Sequence, residues 1–185
     1  MNKVLKELFV TAIYLLFVFG LTFFVLKYVG QRTLVEGSSM EGTLQDGDNL
    51  WVNKFRYRFH DPERFDIVVF PPYEETSRVN YIKRVIGLPG ETVRIGLDGT
   101  IYINGEPLVE SYGREVIDEA HIGLAYEEIK LGEDEYFVLG DNRNNSTDSR
   151  FPQVGNVKRS QLIGKAVWRI FPFRKFGRIY PKAGA

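Results

Sequence analysis

The chain has 185 residues, 44% of them hydrophobic, with 24 Lys+Arg against 24 Asp+Glu and no cysteine. That length holds one sizeable core plus an extra segment, and a net charge near zero supplies no general attraction to nucleic acid. The missing cysteines exclude disulfides and thiolate chemistry and leave the redox compartment open.

The first thirty residues differ in composition from the rest. From Leu8 to Leu26 there is no charged residue, and at ~1.5 Å per residue a helix over this run spans roughly 28 Å, close to a bilayer's hydrocarbon thickness. A tip and a membrane-crossing anchor are therefore expected over residues 1–30, followed by one domain over 31–185. Lys3 and Lys6 precede the run, and Lys27 and Arg32 follow it. This charge pattern favours a cytoplasmic N-terminus only weakly. Two alternatives stand beside the anchor: a buried helix of a soluble protein, and a cleavable signal peptide. The second needs a shorter apolar core and a small-x-small site, which Val29-Gly30-Gln31-Arg32 offers poorly.

Beyond Gly30 the sequence reads as short β-strands. Leu50-Trp51-Val52, Ile67 to Phe70, Tyr81 to Ile86, Thr92 to Ile95, Thr100 to Ile103, Tyr136 to Leu139 and Lys165 to Ile170 are β-branched or aromatic runs separated by Gly, Pro, Asn and Asp. Asp98-Gly99 and Asn104-Gly105 are hairpin turns placed almost back to back. Residues 104–135 are more polar and acidic and read as a smaller surface excursion. The C-terminal stretch from Trp168 to Tyr180 interleaves aromatic and basic side chains, as a lipid-facing patch or an RNA-stacking surface does; ordinary core packing is the plainer reading.

Lys83 is the residue that fits its strand least well. At period two it shares a row with Val79, Tyr81 and Val85, so an otherwise apolar face carries one amine. Burial there disfavours the charged form and lowers a lysine pKa from about 10.4. The alternative is a lysine that snorkels to solvent from a strand edge. Two polar loops flank it in sequence. Val35-Glu36-Gly37-Ser38-Ser39-Met40-Glu41-Gly42-Thr43-Leu44 exposes two hydroxyls and by itself resembles a linker. Gly140 to Arg150 is polar apart from Gly140, and Arg143 and Ser146 occupy positions that a calcium loop cannot spare. His60 and His121 lie in polar, turn-like contexts, poor settings for a catalytic triad. Two distant histidines without cysteine also make no zinc site.

Together these segments resemble bacterial type I signal peptidases, membrane-anchored serine proteases that remove signal peptides from exported proteins. The resemblance rests on the anchor, Ser39-Met40 with Thr43-Leu44, Gly47-Asp48, Asp66-Ile67-Val68-Val69, Tyr81-Ile82-Lys83-Arg84-Val85-Ile86-Gly87-Leu88-Pro89-Gly90, and Gly140-Asp141-Asn142-Arg143 through Ser146, Asp148, Ser149 and Arg150. It implies a mainly antiparallel β fold with a barrel-like core, no cofactor and no metal. Ser39 takes the role of nucleophile and Lys83 that of general base. Ser146 is expected to hydrogen-bond and orient the Lys83 amine, and Asp148 and Arg150 to form an ion pair holding the loop, the alternative being a solvated pair of little energetic worth. Val35, Met40, Leu44, Leu50, Val69, Tyr81 and Ile82 are candidates to line shallow subsites for small side chains, or else to pack the core.

The implied partners are signal peptides of preproteins cut after Ala-x-Ala, membrane lipid and, indirectly, the export machinery. The implied location is a single-pass protein of the cytoplasmic membrane, with its N-terminus inside and the catalytic domain on the extracytoplasmic face.

Two positions depart from the family's pattern. Gly37 stands where many relatives carry a serine whose hydroxyl helps bind the oxyanion, which leaves the Ser39 amide and another backbone donor; Gly37→Ser is expected to be tolerated and even faster. Gly42, after Glu41, stands where a proline is usual, which is expected to loosen the loop.

Two other functions remain to be weighed. One is a specialised or self-processing Ser/Lys protease, whose repressor-type relatives would carry a DNA-binding domain in place of the anchor. The other is a non-catalytic, membrane-tethered β binding module. The chain also ends Ala183-Gly184-Ala185, small residues like those left by such a cleavage.

Overall fold

The computed structural model describes residues 3–72 and 80–179; Val79 and the Ala183-Gly184-Ala185 tail lie outside them. Helix α1 (Lys3–Phe24) continues through a π turn (Val25–Val29). Together they form one stretch long and apolar enough to cross a membrane, with none of its most apolar window buried against the rest of the chain. A helix that is apolar all round needs an apolar environment. A soluble core would have to supply protein around it, and the described chain supplies none.

Strand β1 (Gly30–Leu34) follows the helix directly and pairs antiparallel with β2 (Asn49–Asn53). Glycine at this joint is a packing requirement, because a Cβ on Gly30 would come within 2.6 Å of the Trp51 ring and 2.7 Å of the Val52 carbonyl oxygen. The sequence-based strand list lacks β1, whose Gln31-Arg32-Thr33 has too few apolar residues to signal a strand. Its extended form comes from pairing with β2.

The remaining strands of the main sheet are β3 (Ile67–Phe70), β4 (Tyr81–Gly87), β9 (Glu135–Leu139), β10 (Val157–Lys158) and β11 (Gly164–Phe171), with β12 (Gly177–Arg178) beside β11. Their order is β1-β2-β11-β3-β4-β9-β10, every pairing antiparallel, and the sheet curls into a half-barrel. Every residue of β3, and Ile82 through Gly87 of β4, is buried, as strands covered on both faces must be.

A second sheet holds β5 (Thr92–Ile95), β6 (Ile101–Ile103), β7 (Glu106–Pro107) and β8 (Ile129–Lys130) in the order β7-β6-β5-β8. Asn104 and Gly105 both take positive φ, 51° and 82°, as a two-residue hairpin turn between β6 and β7 requires. This smaller unit begins at Thr92, ahead of the acidic stretch expected from composition. Its core of Ile86, Val93, Ile95, Ile101 and Ile122 is continuous with Phe137 and Leu139 of β9, so the two sheets share packing. A second cluster around Val35, Met40, Leu44, Leu50, Val69 and Ile82 lies under the turn that carries Ser39.

Candidate active site

Three segments distant in sequence meet at one cleft: the turn between β1 and β2, the start of β4, and the loop after β9. The turn is tied to itself, with Glu41 N–H donating to the Ser38 carbonyl (3.0 Å) and Leu44 N–H to that of Met40 (2.8 Å). Gly42 adopts φ +107°, a value closed to proline, so the turn takes a backbone course that a proline-containing one could not.

Lys83 is 3% exposed, and its Nζ lies 2.7 Å from Ser39 Oγ. Burial pulls the amine's pKa down from 10.5 to about 8; Asp148 and Asp141 push it up and Arg150 pushes it down, all by less than burial does. The snorkelling alternative does not hold. Buried Val68 lies across from Lys83 in β3, and the Tyr81 ring centre is 5.0 Å from Nζ.

The loop after β9 holds Ser39 in place. Asn142 N–H donates to the Ser39 carbonyl (3.1 Å) and Asn142 Nδ2 to the Ser38 carbonyl (3.0 Å), while Asn145 Nδ2 donates to Ser38 Oγ (2.9 Å). Gly140 permits this approach, since a Cβ there would overlap both Ser146 Oγ and the Ser39 carbonyl oxygen. Ser146 lines the cleft, but its Oγ hydrogen-bonds to no described residue. The bond expected from Ser146 to Lys83 is therefore not formed: the amine is directed at Ser39 instead.

Asp148 and Arg150 are both fully buried and joined at 2.8 Å (Nε to Oδ1) and 2.9 Å (Nη2 to Oδ2). Asp148 also accepts from Gly140 N–H (2.9 Å), and Arg150 donates to the carbonyls of Arg143 (2.6 Å) and His121 (2.9 Å). A solvated pair of little worth is excluded. Each charge has its remaining hydrogen-bonding capacity met by the backbone, the condition for holding a buried ion pair.

The cleft holds about 480 Å³ and is lined by Val35, Gly37, Ser39, Met40, Tyr81, Ile82, Lys83 and Ser146 among others. Leu44, Leu50 and Val69 are absent from its wall and pack in the cluster beneath, so these three candidates are core residues. Neither His60 nor His121 lines it. Among the described residues no group of three or more His, Asp or Glu is placed to hold a metal. Gly37 has open space around a notional Cβ, but its φ is +90° and its N–H is engaged by Asp46 Oδ1 (2.7 Å). A serine there fits by volume and is strained by backbone, which reverses the expectation of free tolerance.

The family described as signal peptidase, peptidase S26, matches residues 5–171. The chain belongs to this signal peptidase family. It is 41% identical over 160 residues to signal peptidase I of Leptolyngbya laminosa, covering 83% of this chain and 75% of that protein. It is 39% identical over 160 residues to signal peptidase I T of Bacillus subtilis, covering 84% and 81%. Among solved structures, the crystal structure of a signal peptidase I from Enterococcus faecalis matches with 38% identity over 57% of this chain and 97% of that one, at a TM-score of 0.46. As a member of this family the chain is a serine peptidase.

One part of the site escaped sequence reasoning. Arg84, next to Lys83 in β4, binds Asp141 through Nε–Oδ1 (2.8 Å) and Nη2–Oδ2 (2.6 Å), and Thr43 Oγ1 donates to the same Asp141 Oδ2 (2.5 Å). Consecutive strand residues diverge, so β4 sends one cation to Ser39 and the next to the junction of the two loops. The usable signal was Arg84 itself: a second cation in an apolar strand needs a buried partner.

Proposed function

We propose that this protein is a membrane-anchored endopeptidase that removes signal peptides from exported preproteins after Ala-x-Ala, with Ser39 as nucleophile and Lys83 as general base. The observation that carries the reading is the buried Lys83 amine 2.7 Å from Ser39 Oγ. A serine hydroxyl is a weak nucleophile until a base takes its proton, and an amine with a pKa near 8 is neutral often enough to do so near neutral pH.

The steps follow from that pair. Neutral Lys83 accepts the Ser39 hydroxyl proton as Oγ bonds to the scissile carbonyl carbon. The Ser39 N–H donates to the oxyanion that develops. Lys83 then returns the proton to the leaving amine, freeing the mature protein's N-terminus and leaving the signal peptide as an ester on Ser39. A water, deprotonated by Lys83, hydrolyses that ester and restores the hydroxyl. Asp148, Arg150 and the Gly140 backbone keep the loop over Ser39 in register, and the uncommitted Ser146 hydroxyl lines the same cleft.

Substrate entry is supported by the position of β1. It is the edge strand of the main sheet, and Gln31 to Leu34 line the cleft, so an extended segment can pair along it while alternate side chains face Val35, Met40, Tyr81 and Ile82. Small side chains suit that wall because the cluster under it is already filled. β1 begins where the apolar helix ends. That adjacency supports a cleft close to the membrane; the reading puts the domain on the extracytoplasmic face, where a signal peptide still in the bilayer presents its end.

The test uses full-length protein in detergent with a preprotein whose signal ends Ala-x-Ala, beside Ser39→Ala and Lys83→Ala. Both variants should be inactive, and normal cleavage by either would falsify the mechanism.

A further inference from the structure

We propose that residues 110–114, which leave the smaller sheet, form a strap that positions the Ser39–Lys83 pair, with Tyr112 as its principal positioning residue. The inference rests on the reading of that pair as the reacting groups. The strap touches all three segments of the junction. The Tyr112 ring centre stands 3.9 Å from the Arg84 guanidinium carbon in β4. Arg114 N–H donates to the Asp141 carbonyl (2.8 Å), and Glu110 receives the Arg143 guanidinium through two contacts, so the loop after β9 is gripped twice. The Arg114 guanidinium pairs with Glu41 (2.5 Å) in the turn that carries Ser39.

The physical function of the ring is to keep water from an ion pair. Arg84 and Asp141 are 1% and 0% exposed and are the point where β4, the nucleophile turn and the loop converge. Arg84 Nη2 also reaches Thr43 Oγ1 (3.1 Å), and Nη1 donates to the Phe65 carbonyl (2.9 Å). Tyr112 lies against the face of that guanidinium and against Phe65, ring centres 4.9 Å apart. A buried pair keeps its geometry only while solvent is excluded, because attraction between its charges falls steeply with local dielectric. Removing the ring admits water at Asp141. Of its neighbours in sequence, Asn142 donates its N–H to the Ser39 carbonyl and Gly140 packs closely against that oxygen, so the displacement passes to Ser39. None of residues 110–114 lines the cleft, which separates this role from substrate binding.

The experiment measures kcat and KM on a preprotein substrate with the full-length, detergent-solubilised protein and its Tyr112→Ala, Tyr112→Phe and Tyr112→Leu variants. Tyr112→Ala should lower kcat about 10- to 100-fold with KM within about twofold, because misplacement of a reacting group acts on the chemical step. Tyr112→Phe should recover nearly all of it, since the aromatic face covers Arg84. Parent-like kcat in Tyr112→Ala, a loss in KM alone, or equal loss in Tyr112→Phe would each overturn the strap. If a thermal melt shows Tyr112→Ala unfolded at the assay temperature, Tyr112→Leu is read in its place: reduced kcat with preserved KM supports the proposal and unchanged kcat ends it. Ser39→Ala runs alongside. Cleavage by that variant sinks the assignment of the reacting pair, whereas an inactive Ser39→Ala beside a fully active, folded Tyr112→Ala sinks only the strap.

Discussion

Asp148 and Arg150, two residues apart and fully enclosed, act on the Lys83 amine in opposite directions: the carboxylate raises its pKa and the guanidinium lowers it. Burial is the largest single influence, Asp141 adds to the raising side, and the amine settles at about 8. Arg150→Gln should therefore leave Asp148 uncompensated, so that Lys83 keeps its proton to higher pH and the acid limb of the kcat/KM profile moves alkaline. The same change leaves an unpaired buried carboxylate, costing about 3–5 kcal/mol in a denaturation experiment. An acid limb unmoved in a folded Arg150→Gln protein would mean that the pair is silent at Lys83.

Lys83 also ties stability to pH with a definite sign. Its folded pKa of about 8 lies below the ordinary 10.5. Between those values the unfolded chain holds a proton that the folded chain has released, so stability rises with pH by up to about 3 kcal/mol across the window. The Tyr57 phenol acts the other way near the top of that window: burial raises its pKa from 10.0, so folding opposes its ionisation and offsets part of the rise. Activity should climb through about pH 8 as the amine becomes neutral. Urea titrations at stepped pH should show the rise in the parent and lose it in Lys83→Met; a rise of equal size in both assigns it to another group.

Gly37→Ser should turn over more slowly than the parent. A side chain at φ +90° costs about 1 kcal/mol or forces the backbone to rotate, and rotation would weaken the bond from Gly37 N–H to Asp46. Comparison with Gly37→Ala separates backbone from hydroxyl. Equal loss in both identifies strain, whereas a serine variant faster than the parent shows that an added donor to the oxyanion outweighs it.

Gly140→Ala places a methyl group where Ser146 Oγ and the Ser39 carbonyl oxygen already stand. Overpacking of this kind costs about 1–3 kcal/mol. Displacing Ser39 should cost about 100-fold or more in kcat. A melt and a single-turnover assay read the two effects, and parent-like kcat would show that the loop shifts without moving Ser39.

Ser146→Ala should separate stability from activity. Its hydroxyl is buried without a hydrogen-bond partner among the described residues, so deleting it should leave stability within about 0.5 kcal/mol or raise it. If the hydroxyl orients Lys83 during turnover, kcat should fall about tenfold or more, in the range of general-base effects. Unchanged kcat removes Ser146 from the mechanism.

Local signals set the elements of this protein. An uncharged run from Leu8 to Leu26, β-branched strands and two Asx-Gly turns each report a property of a few neighbouring residues. All seven expected strands form, and a row of apolar residues around Lys83 correctly flags a displaced amine. What lies between distant segments was not legible. Thr43 and Asp141 are 98 positions apart and share a hydrogen bond, and Arg84 and Asp141 are 57 apart and share two. Nothing in either neighbourhood specifies the other. Leu44, Leu50 and Val69 carry the same apolar character as Val35 and Met40, and only packing decides which reach the cleft wall and which stay beneath it. β1 is extended because β2 is there to pair with it. Sequence by itself therefore determined the apolar N-terminal run and the strands through short stretches, and pointed to Ser39 and Lys83 through several blocks that resemble one family. Tertiary structure alone decided their separation, the dryness of the amine and the grip on the loops, because distance and solvent exclusion are properties of the whole packed chain.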